Sequence, residues 1–61
     1  MNATDRFIKI TEVQELIGAK RGHIYKLIRA EEFPAPIKIG KSSRWSLRAV
    51  SAWMDRLVAA E

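Results

Sequence analysis

The 61-residue sequence predicts a mainly α fold with a small β-hairpin: three short helices and a two-stranded ribbon in one domain. Three observations predict it. Apolar residues recur at helical spacing in three places: Val13, Leu16 and Ile17; Ile24, Leu27 and Ile28; and Leu47, Val50, Trp53, Met54 and Leu57. Gly18 and then Phe33-Pro34-Ala35-Pro36 break the pattern between them. Finally, Ile37-Lys38-Ile39 and Arg44-Trp45 read as strands on either side of Gly40-Lys41-Ser42-Ser43.

Taken in order, Phe7-Ile8-Lys9-Ile10 is a brief extended opening segment. Thr11 followed by Gln14 has the spacing of a capping box, which predicts a first helix over about 12–17 ending at Gly18. After Gly18-Ala19 the helical pattern resumes in KRGHIYKLIRAEE, and the residue before each following proline is pushed out of the helical region. Ser46 is the expected N-cap of the last helix, about 47–59. Two helices joined by a tight Gly-containing turn form a helix-turn-helix, here about 11–32, and a hairpin over about 37–45 makes it winged. Trp45, Trp53, Phe7 and Phe33 are read as core or core edge, because little else in the chain is large enough to fill one.

A domain this small has a thin core, worth roughly 3–5 kcal/mol. No cysteine is present and His23 is the single histidine, which excludes a disulfide framework and a thiolate zinc site. No apolar run approaches a membrane span, and the polar stretch Met1 to Lys9 is not a secretory signal. A cytoplasmic protein without cofactor or small-molecule ligand is expected. No constellation of nucleophile, base or paired carboxylates suggests an enzyme.

Charge is concentrated in the middle of the chain. Between Lys20 and Arg48 eight Lys and Arg face only Glu31 and Glu32, a net +6, while the remainder carries −2 of the overall +4. Such a segment is the footprint of a polyanionic partner. The second helix also starts against local preference. Ala19 or Lys20 is a poor N-cap, Lys20 and Arg21 place positive charge at the positive end of the helix dipole, and Gly22 weakens the first turn. Rules are broken most often where function requires it. A helix that enters the major groove by its N-terminus would use those cations on phosphates or guanine edges, with the glycine allowing close approach.

The predicted DNA-binding residues are therefore Lys20, Arg21, Gly22, His23, Tyr25 and Lys26 on the second helix, with Lys41, Ser42, Ser43 and Arg44 at the wing tip. The competing structural reading is a solvated helix face and a charged tip that keeps the ribbon soluble.

The segments RFIKITEVQELIGAKRGHIYKLI, FPAPIKIG, SRW and VSAW resemble the AlpA family of small phage and prophage transcriptional regulators, related to excisionases and to the DNA-binding heads of MerR-type regulators. The resemblance implies a winged helix-turn-helix with Arg21, Tyr25 and Lys26 facing the major groove and Lys41 to Arg44 forming the wing. The chain departs from the pattern at Lys20, Gly22 and His23, where small hydroxyl residues are common in the family, so contacts made by those hydroxyls do not carry over. The expected partner is double-stranded DNA, bound by a monomer or a weak, cooperative oligomer. Activator, repressor and DNA-bending excisionase all fit the resemblance. A protein-interaction module docking an acidic partner is the alternative of a different class.

Overall fold

The computed structural model describes residues 5–60. The elements run β1 (Phe7–Ile8), α1 (Ile10–Ile17), α2 (Arg21–Arg29), β2 (Ile37–Ile39), β3 (Ser42–Ser46) and α3 (Leu47–Ala59). Three helices and a small antiparallel sheet make a winged helix-turn-helix. The sheet has three strands in the order β1-β3-β2, because the opening segment adds itself to the expected hairpin. Phe7 pairs with Ser46 and Ile8 with Trp45; on the other side Ile37 pairs with Arg44, Lys38 with Ser43 and Ile39 with Ser42.

This third strand also moves the start of α1. The expected Thr11 capping box does not form, and Thr11 lies inside a helix that begins at Ile10. Once Phe7 and Ile8 are held in the sheet, Lys9 in an extended conformation turns the chain directly into the helix. The first helical bond, Val13 N–H to Lys9 C=O at 3.1 Å, closes there without a side-chain cap. Gly18 ends α1 in the left-handed region at φ 68°, donating its N–H to Gln14 C=O at 2.8 Å.

The prolines do not end α2. It stops earlier, with Glu31 at φ 61° in the left-handed region. Glu31 N–H donates to Ile28 C=O at 3.0 Å and Glu32 N–H to Leu27 C=O at 2.8 Å. These are the two bonds of a Schellman ending, in a position that glycine normally occupies. The hairpin turn is also tighter than expected. Only Gly40 and Lys41 form it, with Gly40 at φ 63°, and Ser42 and Ser43 belong to β3.

The core draws one buried side chain from nearly every element: Ile8, Val13, Ile24, Phe33, Trp45 and Val50. Trp45 is 1% exposed, and its indole N–H donates to Pro34 C=O at 3.1 Å, so its polar atom is satisfied inside the core. Trp53 sits at the core edge. It packs edge-on against Phe33 at 4.8 Å and donates its indole N–H to Glu32 C=O at 2.7 Å. Phe7 is not a core residue, at 49% exposed: alternation in β1 turns Ile8 inward and Phe7 out. Leu16 and Leu57, expected on buried helix faces, are likewise exposed, since the sheet and loop cover only part of each stripe.

Candidate nucleic-acid interface

The start of α1, the first turns of α2 and the inner face of the wing enclose a groove of about 450 Å³. Its five cations are Lys9, Arg21, Lys38, Lys41 and Arg44, and no carboxylate lines it among the described residues. Thr11, Ser42 and Ser43 supply hydroxyls, while Tyr25 and Trp45 form the apolar floor. Charges of one sign converging on a concave surface focus the potential there and select an anion. Two other concavities on the molecule carry carboxylates: Glu31 and Glu32 line one beside Phe33 and Trp53, and Asp5 and Asp55 another beside α3. The hollow that Ile17, Lys20, His23 and Trp53 line carries none among the described residues but has only one lysine.

The fold assembles the groove from distant stretches of sequence. On α2, Arg21 and Tyr25 lie one turn apart on the same side. The Arg21 guanidinium carbon is 5.8 Å from the centre of the Tyr25 ring, within cation–π range. The Tyr25 ring meets Trp45 edge-on at 6.1 Å and 69°, so the floor of the groove is continuous with the core. On the wing, the Lys38–Ser43 pair shares the inner face of the sheet with Trp45, two residues along β3. Arg44 folds back along its own strand and donates from Nη1 to Ser43 C=O at 2.9 Å.

The three helix starts differ sharply. In α3 the first N–H groups all have partners: Leu47 N–H donates to Arg6 C=O at 2.8 Å, Arg48 N–H to Asp5 Oδ1 at 3.0 Å and Ala49 N–H to Ser46 Oγ at 3.2 Å. Neither α1 nor α2 has a side-chain cap, and the first turn of α2 contains no acidic residue. The two uncapped helix starts are the ones beside the basic groove. A helix start without a side-chain cap can donate its first N–H groups to an anion, although Glu12 in the first turn of α1 opposes one there.

Six of the ten predicted residues come together in this groove: Arg21, Tyr25, Lys41, Ser42, Ser43 and Arg44. Lys20 and His23 line a different hollow with Ile17, Leu27 and Trp53, on another flank of α2. Gly22 and Lys26 are exposed on α2 and line neither. A Cβ added to Gly22 would meet no atom within 4 Å, so nothing in the protein's own packing requires a glycine there. Lys9, Thr11 and Lys38 belong to the groove and were not among the predicted residues. Lys38 was within reach of the sequence: alternation in Ile37-Lys38-Ile39 sets it on the opposite face from the two isoleucines. Lys9 and Thr11 were not, because only the pairing of β1 with β3 brings the start of α1 beside the wing.

The family model described as Prophage CP4-57 regulatory protein (AlpA) matches residues 6–58, from before β1 to the last turn of α3. The chain belongs to the AlpA family. This AlpA-family chain is also 41% identical over 56 residues to the uncharacterized protein ORF88 of Enterobacteria phage P4, covering 90% of this chain and 64% of that protein. The chain therefore spans a little under two thirds of that relative's length. No solved structure matches it. No helix among the described residues is long and apolar enough to cross a membrane.

Proposed function

We propose that this AlpA-family protein is a sequence-specific double-stranded DNA-binding regulator of prophage or mobile-element genes. In this reading the N-terminal half of α2 enters the major groove, and the wing rests on the adjacent backbone or minor groove. The observation that carries it is the basic groove between α1, α2 and the wing, with its five cations and no carboxylate among the described residues. The uncapped start of α2 supports the same reading, since its N–H groups can donate to phosphate oxygens. Lys20, Gly22, His23 and Lys26 lie outside that groove and are the second set of contacts, available if α2 enters deeply. Gly22 supports such an approach, because it leaves the leading surface of α2 without a side chain.

Titration against duplex fragments from the protein's own genetic neighbourhood, with random duplex as competitor at two salt concentrations, tests the proposal. Tight binding that survives the competitor is expected. Binding that is weak and erased by salt would instead favour docking to an acidic protein partner. Bending of the bound fragment would make the regulator an excisionase-type factor.

A further inference from the structure

We propose that Arg21 reads a guanine on the major-groove edge, and that Tyr25 is the positioning residue that aims it. This rests on the duplex-binding reading above.

The five groove cations are not equivalent. Lys9, Lys38 and Lys41 are exposed, and none enters the ion pair found among the described residues, Arg6 with Glu12. An ammonium on a flexible stem is a point charge suited to phosphate at any sequence. The two arginines are tethered. Arg44 is turned back onto Ser43 C=O, which spends one of its donors within the wing. Arg21 is held differently, over the Tyr25 ring at 5.8 Å.

That mode of holding matters for what Arg21 can do next. An aromatic ring holds a guanidinium as a cation without accepting its N–H groups one by one, as a carbonyl or carboxylate would, so the donor fork can still bind a further partner. Tyr25 is itself held by the Trp45 edge contact at 6.1 Å. Trp45 in turn is buried and hydrogen-bonded to Pro34. A line of contacts thus runs from the core to the guanidinium at the first residue of α2. The result is a planar donor fork anchored beside an aromatic ring at the leading end of the helix. Guanine O6 and N7 form the base edge that such a fork matches bidentately.

Wild type, Arg21→Lys, Tyr25→Phe and Tyr25→Leu should each be used to enrich a fully randomised short duplex library. Thermal stability and affinity for random duplex are measured alongside. Wild type and Tyr25→Phe are expected to enrich a motif containing a guanine that Arg21→Lys no longer selects. Tyr25→Leu should weaken selection of that guanine by about two- to fivefold, the worth of an exposed cation–π contact. Loss of folded protein would lower the melting temperature and weaken every duplex alike, whereas loss of positioning lowers selection of that guanine. Added to Arg21→Lys, Tyr25→Leu should change nothing further.

Equal guanine selection by Tyr25→Leu and wild type would overturn the positioning role. Uniform weakening on all sequences by Arg21→Lys would make Arg21 a phosphate contact. Duplex binding without any enriched motif would overturn base reading alone, whereas no binding to any duplex would remove the functional proposal with it. Arg21 is exposed, so Arg21→Lys tests base reading even where Tyr25→Leu is unstable.

Discussion

The Asp5 carboxylate accepts the backbone N–H of Arg48 at 3.0 Å, across 43 positions of sequence. It also accepts the Ser46 hydroxyl at 2.9 and 3.0 Å, and Ser46 Oγ in turn accepts the Ala49 N–H. The start of α3 is therefore capped twice, once locally by Ser46 and once by the chain segment that precedes β1. The same contacts tie β1 to β3 and so hold the base of the wing.

Ser46→Ala removes the local cap and a partner of Asp5. Its expected cost is about 1 kcal/mol of folding stability, as for other helix N-caps. Urea denaturation checks it. An unchanged midpoint would mean that Asp5 and Arg6 alone satisfy the helix start.

Stability should fall in acid. The Arg48 N–H, helped by Ser46 and the Arg6 N–H, holds Asp5 below the ordinary aspartate range even though desolvation pushes it up. Arg6 does the same for Glu12 through its hydrogen bond at 2.7 Å. Both carboxylates thus bind protons less readily when folded than when unfolded. Their contribution is complete above their ordinary values near 4 and is lost as pH falls through the depressed folded values. Thermal melts between roughly pH 6 and pH 2 should show this decline, and Asp5→Asn should flatten part of it.

Glu31→Gly should stabilise the protein by roughly 0.5–1 kcal/mol, because glycine adopts the left-handed conformation of the α2 ending without steric cost. The two bonds of that ending use backbone atoms alone and survive the change. A lower melting temperature would show that the Glu31 side chain contributes more than its backbone conformation costs.

Gly22→Ala separates stability from binding. Nothing lies within 4 Å of the added Cβ, and alanine in the first turn of α2 should raise stability by up to about 1 kcal/mol. Duplex affinity should fall, since the new methyl stands on the surface proposed to approach DNA. Affinity that is unchanged or improved would remove Gly22 from the interface.

If the four groove cations other than Arg21 meet phosphate, log K against log salt should have a slope near −3.6, that is about −0.9 per contact. Lys41→Ala or Lys38→Ala should each bring it to about −2.7, on random and specific duplex alike. A slope that does not move would take that lysine out of the contact.

Much of the fold was legible because its signals are local. Apolar spacing identified all three helices, Gly18 marked the end of α1, Ser46 marked the start of α3, and Gly40 marked the hairpin turn. Errors appeared where long-range pairing overrode a local pattern. Thr11 and Gln14 have the spacing of a capping box, but pairing of Phe7 and Ile8 with β3 starts the helix before Thr11. The prolines after Phe33 suggested the end of α2, while a backbone ending at Glu31 had already closed it. Phe7 has the composition of a core residue, and strand alternation turns it outward.

The sequence by itself determined the element types, the concentration of charge between Lys20 and Arg48, and the unusual start of α2, since each depends on residues close together in the chain. Only the tertiary structure decided which cations share a surface. Lys9 joins Arg21 and Lys41 because β1 pairs with β3, and Lys20 leaves them because it lies on another flank of α2. A site built from three separate segments takes its membership from strand register and helix packing, and neither is written in any one stretch of sequence.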